Sequence, residues 1–468
     1  MRSCAVRREQ LLLNALKLIV TGYTAVYKRF VEDKENSMKK LNRKEFGKSA
    51  TVIGGFSILP SGLWANSPNS KLTFAQVGCG GNGSGTIKRM IGHPKLQPVA
   101  FCDPDKRQSA RCRERLGEKY ASVELFSNYS EMLSKLGDKL DCIAVSTPDH
   151  NHHPITLEAM KQGKHVYTQK PLTNRISHAR ELKESADKTG VVTRMGNQLH
   201  SSIASRTVGH FLRNGSIGKI KKVYVWSNKT WGDDSATRGP EIPTPANLDW
   251  DLWLGNAPKQ PYRNGIHPSR WRCYLDFGTG TLGDMGVHIF DTPFKSLKLS
   301  YPSWVKTTCR NPNGFGHPGS NTVEYSFERT EYTTENLRWT WFDGGHVAKM
   351  KIPELQLPEG RKFPDQGAVY VGEKGCILHP HTSGPIFYPD SIKQAIEMPD
   401  LKPMDHHHDW IDACLANRPS THADFTYAAF LTETVLLGVA GSRFPGEQME
   451  WDYKNMEFTN MPEANELV

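Results

Sequence analysis

The sequence predicts an α/β protein: an N-terminal Rossmann domain on a doubly wound parallel sheet, then a C-terminal α+β domain on an open, mostly antiparallel mixed sheet. Three observations carry this prediction. From Lys71 onward, short apolar runs alternate with amphipathic stretches at the spacing of β-α-β units. The first run ends in a G-x-G-x-x-G turn formed by Gly78, Gly80 and Gly83. Beyond about residue 195 the crossover helices stop and β-rich segments follow one another directly.

Taken in order, a strand is expected over 71–77, a helix over 84–91, a strand over 96–102 and a helix over 104–116. The run over 140–146 is apolar enough to be a strand covered on both faces. A helix over 154–162, a strand over 164–167, a helix over 176–189 and a strand over 191–194 complete the first domain. In the second, a helix over 203–214 leads into a strand over 219–226. Strands over 322–327, 336–342 and 368–371 follow, and a last amphipathic helix spans 425–443. The expected division is a leader over 1–70, a dinucleotide-binding domain over 71–195 and a substrate-binding, catalytic domain over 196–468. There is no internal repeat and no low-complexity tract.

The net charge of +10 invites a nucleic-acid reading, but its distribution argues against one. Residues 1–50 hold 12 Lys or Arg against 5 Asp or Glu, so most of the excess lies in the leader and no basic stripe for phosphates follows. The leader has the layout of an export signal. A basic stretch from Met38 precedes an uncharged, fairly apolar run over 51–65 that ends in Leu63, Trp64 and Ala65. Arg43-Lys44-Glu45-Phe46 is similar to a twin-arginine signal with lysine in the second place. A periplasmic or exported protein is therefore expected, and a cytoplasmic one if the leader does not act. No stretch has the length of a transmembrane helix. The 9 cysteines are scattered, without a Cys-x-x-Cys pair, so no disulfide framework is indicated. Cys79, Cys102 and Cys142 fall in or beside expected strands and read as small hydrophobes.

The glycine motif carries the first chemical expectation. Gly78 allows the tight turn, Gly80 lets backbone approach a pyrophosphate, and Gly83 lets the next helix pack close, with Asn82 in the same turn. Asp103 lies twenty residues past Gly83, at the end of the second strand, where a carboxylate accepts hydrogen bonds from ribose hydroxyls. NAD is the expected cofactor. NADP stays open, because Lys106 and Arg107 lie just beyond Asp103.

Three further segments bear on chemistry. Thr147, Pro148 and His152 follow the strand over 140–146, at the sheet edge where open α/β folds place ligands. Gln169, Lys170 and Pro171 follow the next strand at that edge. In the second domain Asp284, His288 and Asp291 stand at i, i+4 and i+7, one face of a regular helix.

On these motifs, in this order, residues 71–452 resemble the glucose–fructose oxidoreductase/inositol dehydrogenase/MocA (Gfo/Idh/MocA) family. Most members have Glu-Lys-Pro where this chain has Gln169-Lys170-Pro171. Together with Gly196-Asn197-Gln198 and the segment over 248–255, that variant resembles an exported subgroup. The resemblance implies a nicotinamide-dependent oxidoreductase acting on a sugar, polyol or glycoside, with catalysis on Lys170, Asp284 and His288. It also implies that Gly78, Gly80, Asn82, Gly83, Asp103, Thr147, Pro148, His152, Gln169, Lys170 and Pro171 serve the cofactor.

The chemistry of the residue types agrees. Oxidising an alcohol removes a hydroxyl proton while hydride leaves carbon, and a histidine can take that proton. A lysine at the same oxygen stabilises developing alkoxide. Asp284, four residues before His288, either binds substrate hydroxyls or orients the imidazole. Asn197, Gln198 and His200 follow the last Rossmann strand and are expected to face substrate, as is Arg272; Trp271, Arg238 and Trp231 could add a stacking surface for sugar. Two histidine clusters, His150-His152-His153 and His406-His407-His408-Asp409, lack zinc spacing, so no metal is expected. The second cluster reads as a helix start near the substrate domain.

Two rival functions remain beside the dehydrogenase. One is a glycosidase that uses tightly bound NAD through a transient keto-sugar and elimination. The other is a sensor that binds NAD or sugar without turnover. A homo-oligomer formed through the C-terminal sheet is expected.

Overall fold

The computed structural model describes residues 71–468 apart from Gln356 and Thr421. The leader, and the export reading with it, lies outside the described residues.

The first layer comprises β1 (Leu72–Val77), α1 (Gly81–Met90), β2 (Leu96–Cys102), α2 (Lys106–Leu116), β3 (Glu124–Phe126), α3 (Tyr129–Leu136), β4 (Cys142–Val145), α4 (His152–Lys161), β5 (His165–Gln169), α5 (Ile176–Thr189) and β6 (Thr193–Gly196). Its six strands pair in parallel in the order β3-β2-β1-β4-β5-β6. The order reverses between β1 and β4, and that switch point opens a crevice at the carboxyl ends of the strands. Every residue of β4 is buried, as its apolar run requires. Cys79, Cys102 and Cys142 are buried as well.

The second layer follows α6 (Ile203–Arg213). It contains β7 (Ile220–Ser227), α7 (Trp250–Leu254), a π-helical turn over Leu282–Gly286, α8 (Val287–Ser296), β8 (Pro302–Thr308), β9 (Thr322–Phe327), β10 (Thr333–Asp343), β11 (Gln366–Gly372), β12 (Cys376–Pro380), β13 (Ile386–Tyr388), α9 (Ser391–Gln394), α10 (His406–Leu415), α11 (Phe425–Gly441), β14 (Gln448–Asp452) and β15 (Glu457–Phe458). Nine strands pair in the order β13-β12-β11-β7-β10-β9-β8-β14-β15, and only the β7–β10 pair is parallel. The mixed, mostly antiparallel sheet is the one expected.

Several elements differ from expectation. β3 and α3 were not expected. β3 spans three residues, too short to show a period, although Asn128 caps α3 and is a readable start signal. β8 and β12 to β15 were likewise not expected, because short strands at a sheet rim alternate weakly. The last helix, α11, is not amphipathic. It is buried on nearly every side, wedged against α5, α8 and β8. Its one acid, Glu433, is fully buried and paired with Arg180 at 2.8 Å.

The chain also crosses back over the division at residue 196. Trp410, Ile411 and Cys414 of α10 pack on Phe74, Cys142, Ala144 and Tyr167 of the parallel sheet. The His406–His408 segment is thus a helix start, capped by Asp405, but it sits on the Rossmann sheet. His406 Nε2 lies 3.0 Å from the Met195 carbonyl, His407 stacks on Tyr167, and the Arg194 guanidinium donates to the His406 carbonyl.

Candidate active site

The glycine turn is shaped by what it must pass. Gly78 has φ +83°, and a Cβ there would run into the Ser146 carbonyl at the end of β4. A Cβ on Gly83 would run into the Gly78 carbonyl, so α1 can close on the turn only with glycine at that place. The turn opens onto a cleft of about 410 Å³. One wall holds Gly78, Gly80, Asn82, Asp103, Thr147, Pro148, Gln169 and Lys170; the other holds Trp253, His267, Trp271 and Arg272.

Asp103 accepts the backbone N–H groups of Cys79 at 2.8 Å and Asp105 at 2.9 Å, which ties the end of β2 to the glycine turn. Burial pushes its carboxyl up to about 6, against the pull of those two N–H groups. The guanidinium of Arg107 is engaged by Asp105 through Nε at 3.2 Å and Nη2 at 3.0 Å. Asp105 also takes Asn247 Nδ2 at 2.6 Å and lies 3.1 Å from His267 Nε2, which joins the two walls.

At the inner end, Lys170 Nζ donates to both Asp284 Oδ1 and the Asp284 carbonyl, each at 2.7 Å. Arg272 Nε reaches the same Oδ1 at 3.3 Å. Burial alone would raise the Asp284 carboxyl, but the charges of Lys170 and Arg272 hold it well below the usual carboxylate range. A bond between Lys170 and the peptide carbonyl fixes the ammonium from two directions, so Asp284 acts on Lys170 first.

His288 is held from the Rossmann side. Asn197 Nδ2 donates to the Val287 carbonyl at 3.2 Å, and Asn197 Oδ1 sits 2.6 Å from His288 Nδ1. A carbonyl only accepts, so the amide orientation is set and Nδ1 carries the hydrogen. The lone pair is therefore on Nε2. Burial, with the nearby Lys170 charge and His381, pushes the imidazole well below its ordinary value, which keeps it neutral and able to accept a proton. The alternative that Asp284 orients this ring gives way to Asn197.

The i, i+4, i+7 face does not persist through this segment. The turn over Leu282–Gly286 is π-helical, which changes the rotation between Asp284 and the residues after it. Asp291 instead meets His200 Nδ1 at 2.8 Å and the Tyr427 hydroxyl at 2.7 Å. His200 is thereby committed, with Lys295 Nζ 2.7 Å from its Nε2. His152, expected at the cofactor, is 1% exposed and is not in the cleft wall. Its ring bridges the Pro171 carbonyl at 2.7 Å and the Thr147 carbonyl at 3.0 Å, so it fixes the two edge loops relative to each other. His150 does the same between domains, lying 3.3 Å from the Phe277 carbonyl and 3.1 Å from that of Trp253. Gln198 opens the short helix Gln198–Ser201 outside the cleft wall, and Arg238 pairs with Asp276 at 3.2 Å, also away from the wall. Trp231 is close: the Arg272 guanidinium lies 5.5 Å from its ring and 4.1 Å from that of Trp271. Among the described residues no group of three or more His, Cys, Asp or Glu is arranged to hold a metal ion.

Three residues at the site were missed by sequence reasoning. Asp149 lines the cleft and accepts from Thr279 Oγ1 at 2.8 Å. Burial pushes its carboxyl up to about 7, although Arg272 and Lys170 pull it down. Its position between Pro148 and His150 was the available signal. Lys229 Nζ is 3.8 Å from Asp284 Oδ2, and the His381 ring lies 6.0 Å from that of His288. Neither stands in a motif, and only pairing in the second sheet brings them in.

Lys170, at the carboxyl edge of the parallel sheet, thus meets Asp284 and His288 of the second layer beside a glycine turn of the dinucleotide-binding type. Residues 72–197 match the oxidoreductase family's NAD-binding Rossmann fold, and residues 203–301 match its C-terminal alpha/beta domain. The chain belongs to the Gfo/Idh/MocA family.

It is 30% identical over 125 residues to the D-glucoside 3-dehydrogenase of Escherichia coli (strain K12), covering 27% of this chain and 34% of that protein. It is 27% identical over 166 residues to a glycosyl hydrolase family 109 protein of Solibacter usitatus (strain Ellin6076), covering 32% and 38%. These matches thus span little more than a third of each curated relative. Among solved structures, the WlbA dehydrogenase of Bordetella pertussis, in complex with NADH and UDP-GlcNAcA, has the same fold. It superimposes with a TM-score of 0.57 at 16% identity, covering 82% of this chain and 98% of that one.

Proposed function

We propose that this protein interconverts a hydroxyl and a ketone on a sugar, polyol or glycoside, with NAD as the hydride carrier. The observation that carries the reading is the pairing of a doubly anchored ammonium, Lys170, with a neutral imidazole, His288, whose Nε2 is free of its proton. In the oxidation direction His288 Nε2 takes the hydroxyl proton while Lys170 Nζ donates to the same oxygen as negative charge grows there. Bound nicotinamide supplies the acceptor for the hydride leaving that carbon. In reverse, the same two groups deliver a proton to the ketone oxygen.

The glycine turn, with no side chain to fill its approach, fits a pyrophosphate, and Asp103 fits ribose hydroxyls. NAD in preference to NADP is supported by the buried Asp103 carboxyl and by Arg107, whose guanidinium is occupied by Asp105. The leader is read as an export signal, so a chain starting at Ser67 keeps cofactor binding; loss of binding would make the leader part of the fold. Assembly into a homo-oligomer through the nine-stranded sheet belongs to the same reading and is checked by light scattering.

The test is to identify dinucleotide released from the purified protein, then to screen sugars, polyols and glycosides at the NADH absorbance. Ketone formed in step with NADH supports the dehydrogenase. Cleavage of a glycoside without net change in NADH supports the second reading, a glycosidase, which the similarity to a glycosyl hydrolase family 109 protein favours. A protein that binds dinucleotide and does neither overturns both and leaves the sensor.

A further inference from the structure

Around Asp284, positive charge exceeds what the neighbouring acids balance. Lys170, Arg272 and Lys229 all surround one carboxylate, Asp284. The second acid, Asp149, is buried and pushed toward its neutral form. Lys170 and Arg272 reach Asp284 Oδ1 within hydrogen-bond distance, at 2.7 and 3.3 Å. Lys229 does not: its Nζ stands 3.8 Å from Oδ2, touches Met285 Sδ at 3.1 Å, and leaves 42% of its side chain exposed.

The neighbouring strand adds a donor. His381 follows β12 directly, and its backbone N–H donates to the Gln366 carbonyl at the start of β11 at 3.0 Å. His381 thereby comes within 6.0 Å, ring to ring, of His288. Burial, with the charges of Lys229 and Lys170, pushes His381 down to about 4, so it stays neutral and offers one N–H. Lys229 is therefore the one cation of the three without a hydrogen-bonded carboxylate, and His381 adds a neutral donor. That matches a monoanion better than a phosphate dianion.

Resting on the proposed dehydrogenase reading, we infer that the substrate is a sugar acid, whose carboxylate is bound by Lys229 with His381 while its reacting hydroxyl lies at Lys170 and His288. The carboxylate takes a charge-assisted hydrogen bond from Lys229 Nζ and the single N–H of His381. Asp284 does not compete, because it is held by Lys170 and Arg272.

The experiment uses NAD-loaded protein with uronates and aldonates, the matching neutral sugars, and sugar phosphates. Turnover and calorimetric binding are both measured. Sugar acids are expected to be preferred. Lys229→Met should raise KM and Kd for them about ten- to hundredfold, with a smaller change for neutral sugars and none in NAD affinity, and Lys229→Arg should restore most of the loss. Equal losses for acid and neutral sugars, or a preference for neutral sugars or phosphates, would overturn the inference. Sugar-acid binding that depends on Lys229 without any turnover would sustain it and defeat the dehydrogenase reading instead.

Discussion

Asn197 and His288 form a reciprocal lock between the two sheets: the amide nitrogen donates to the Val287 carbonyl while its oxygen accepts from His288 Nδ1 at 2.6 Å. The asparagine comes from the loop after β6 and the histidine from α8. The tautomer of His288 is thus determined by a residue of the other layer, and relative movement of the layers would disturb it.

Asn197→Ala should lower turnover about tenfold or more while leaving NAD affinity unchanged. Asn197→Asp should raise the pKa of His288 by placing a carboxylate at Nδ1, and so move the acid limb of the oxidation rate upward in pH. Steady-state kinetics across pH, with a separate binding titration, checks both. An unmoved acid limb in Asn197→Asp would detach this pair from catalysis.

Lys170→Ala and His288→Ala should each reduce turnover by a factor on the order of a hundred or more, again with cofactor affinity nearly intact. In the wild type only the neutral imidazole accepts a proton. Because His288 is pushed well below its ordinary 6.5, oxidation should hold level through neutrality and fall only in more acidic solution. If His288→Ala keeps wild-type turnover and the same acid limb, the base lies elsewhere.

If Asp103 meets the ribose hydroxyls as proposed, Asp103→Ala should weaken NAD by about ten- to hundredfold and NADP by less. Freeing Arg107 by Asp105→Asn should help NADP, though loss of the bonds to Asn247 and His267 will lower the melting temperature. Fluorescence titration with both dinucleotides tests this, and equal losses for the two would place Asp103 away from the ribose.

The melting temperature should fall between about pH 6.5 and about pH 4. Burial holds His150, His152 and His317 down to about 4 in the folded state. In that window the unfolded chain binds protons that the native one refuses, so stability drops as pH drops, by at most about 1.4 kcal/mol per pH unit for each group. Asp149 and Asp343, both pushed up to about 7 by burial, work in the opposite sense and soften the slope. Calorimetry across this range checks the sign. A flat or rising profile would mean that the acids dominate.

Much of the cofactor side was legible because its signals are local. Gly78, Gly80, Gly83 and Asp103 sit within one β-α-β unit, and Thr147, Pro148 and Gln169-Lys170 end strands whose apolar runs are unmistakable. Asp284 and His288 could be named, but not the π-helical turn between them, which leaves no mark in residue spacing. Lys229 and His381 were invisible because they lie just past the ends of β7 and β12, two strands joined only through β7–β11 and β11–β12 pairing. His152 and His200 were overvalued for a related reason: a histidine near a motif reads as chemistry until its carbonyl or carboxylate partners are seen.

The return of α10 to the parallel sheet bears on how the protein could be taken apart. Phe74, Cys142, Ala144 and Tyr167 are roofed by Trp410, Ile411 and Cys414, so a fragment ending near residue 196 would expose an apolar sheet face to water. The nucleotide-binding part is thus not an exchangeable cassette. Grafting it onto another C-terminal half would require transplanting the stretch around 405–415 as well, and a chimera joined at a single point should aggregate rather than fold.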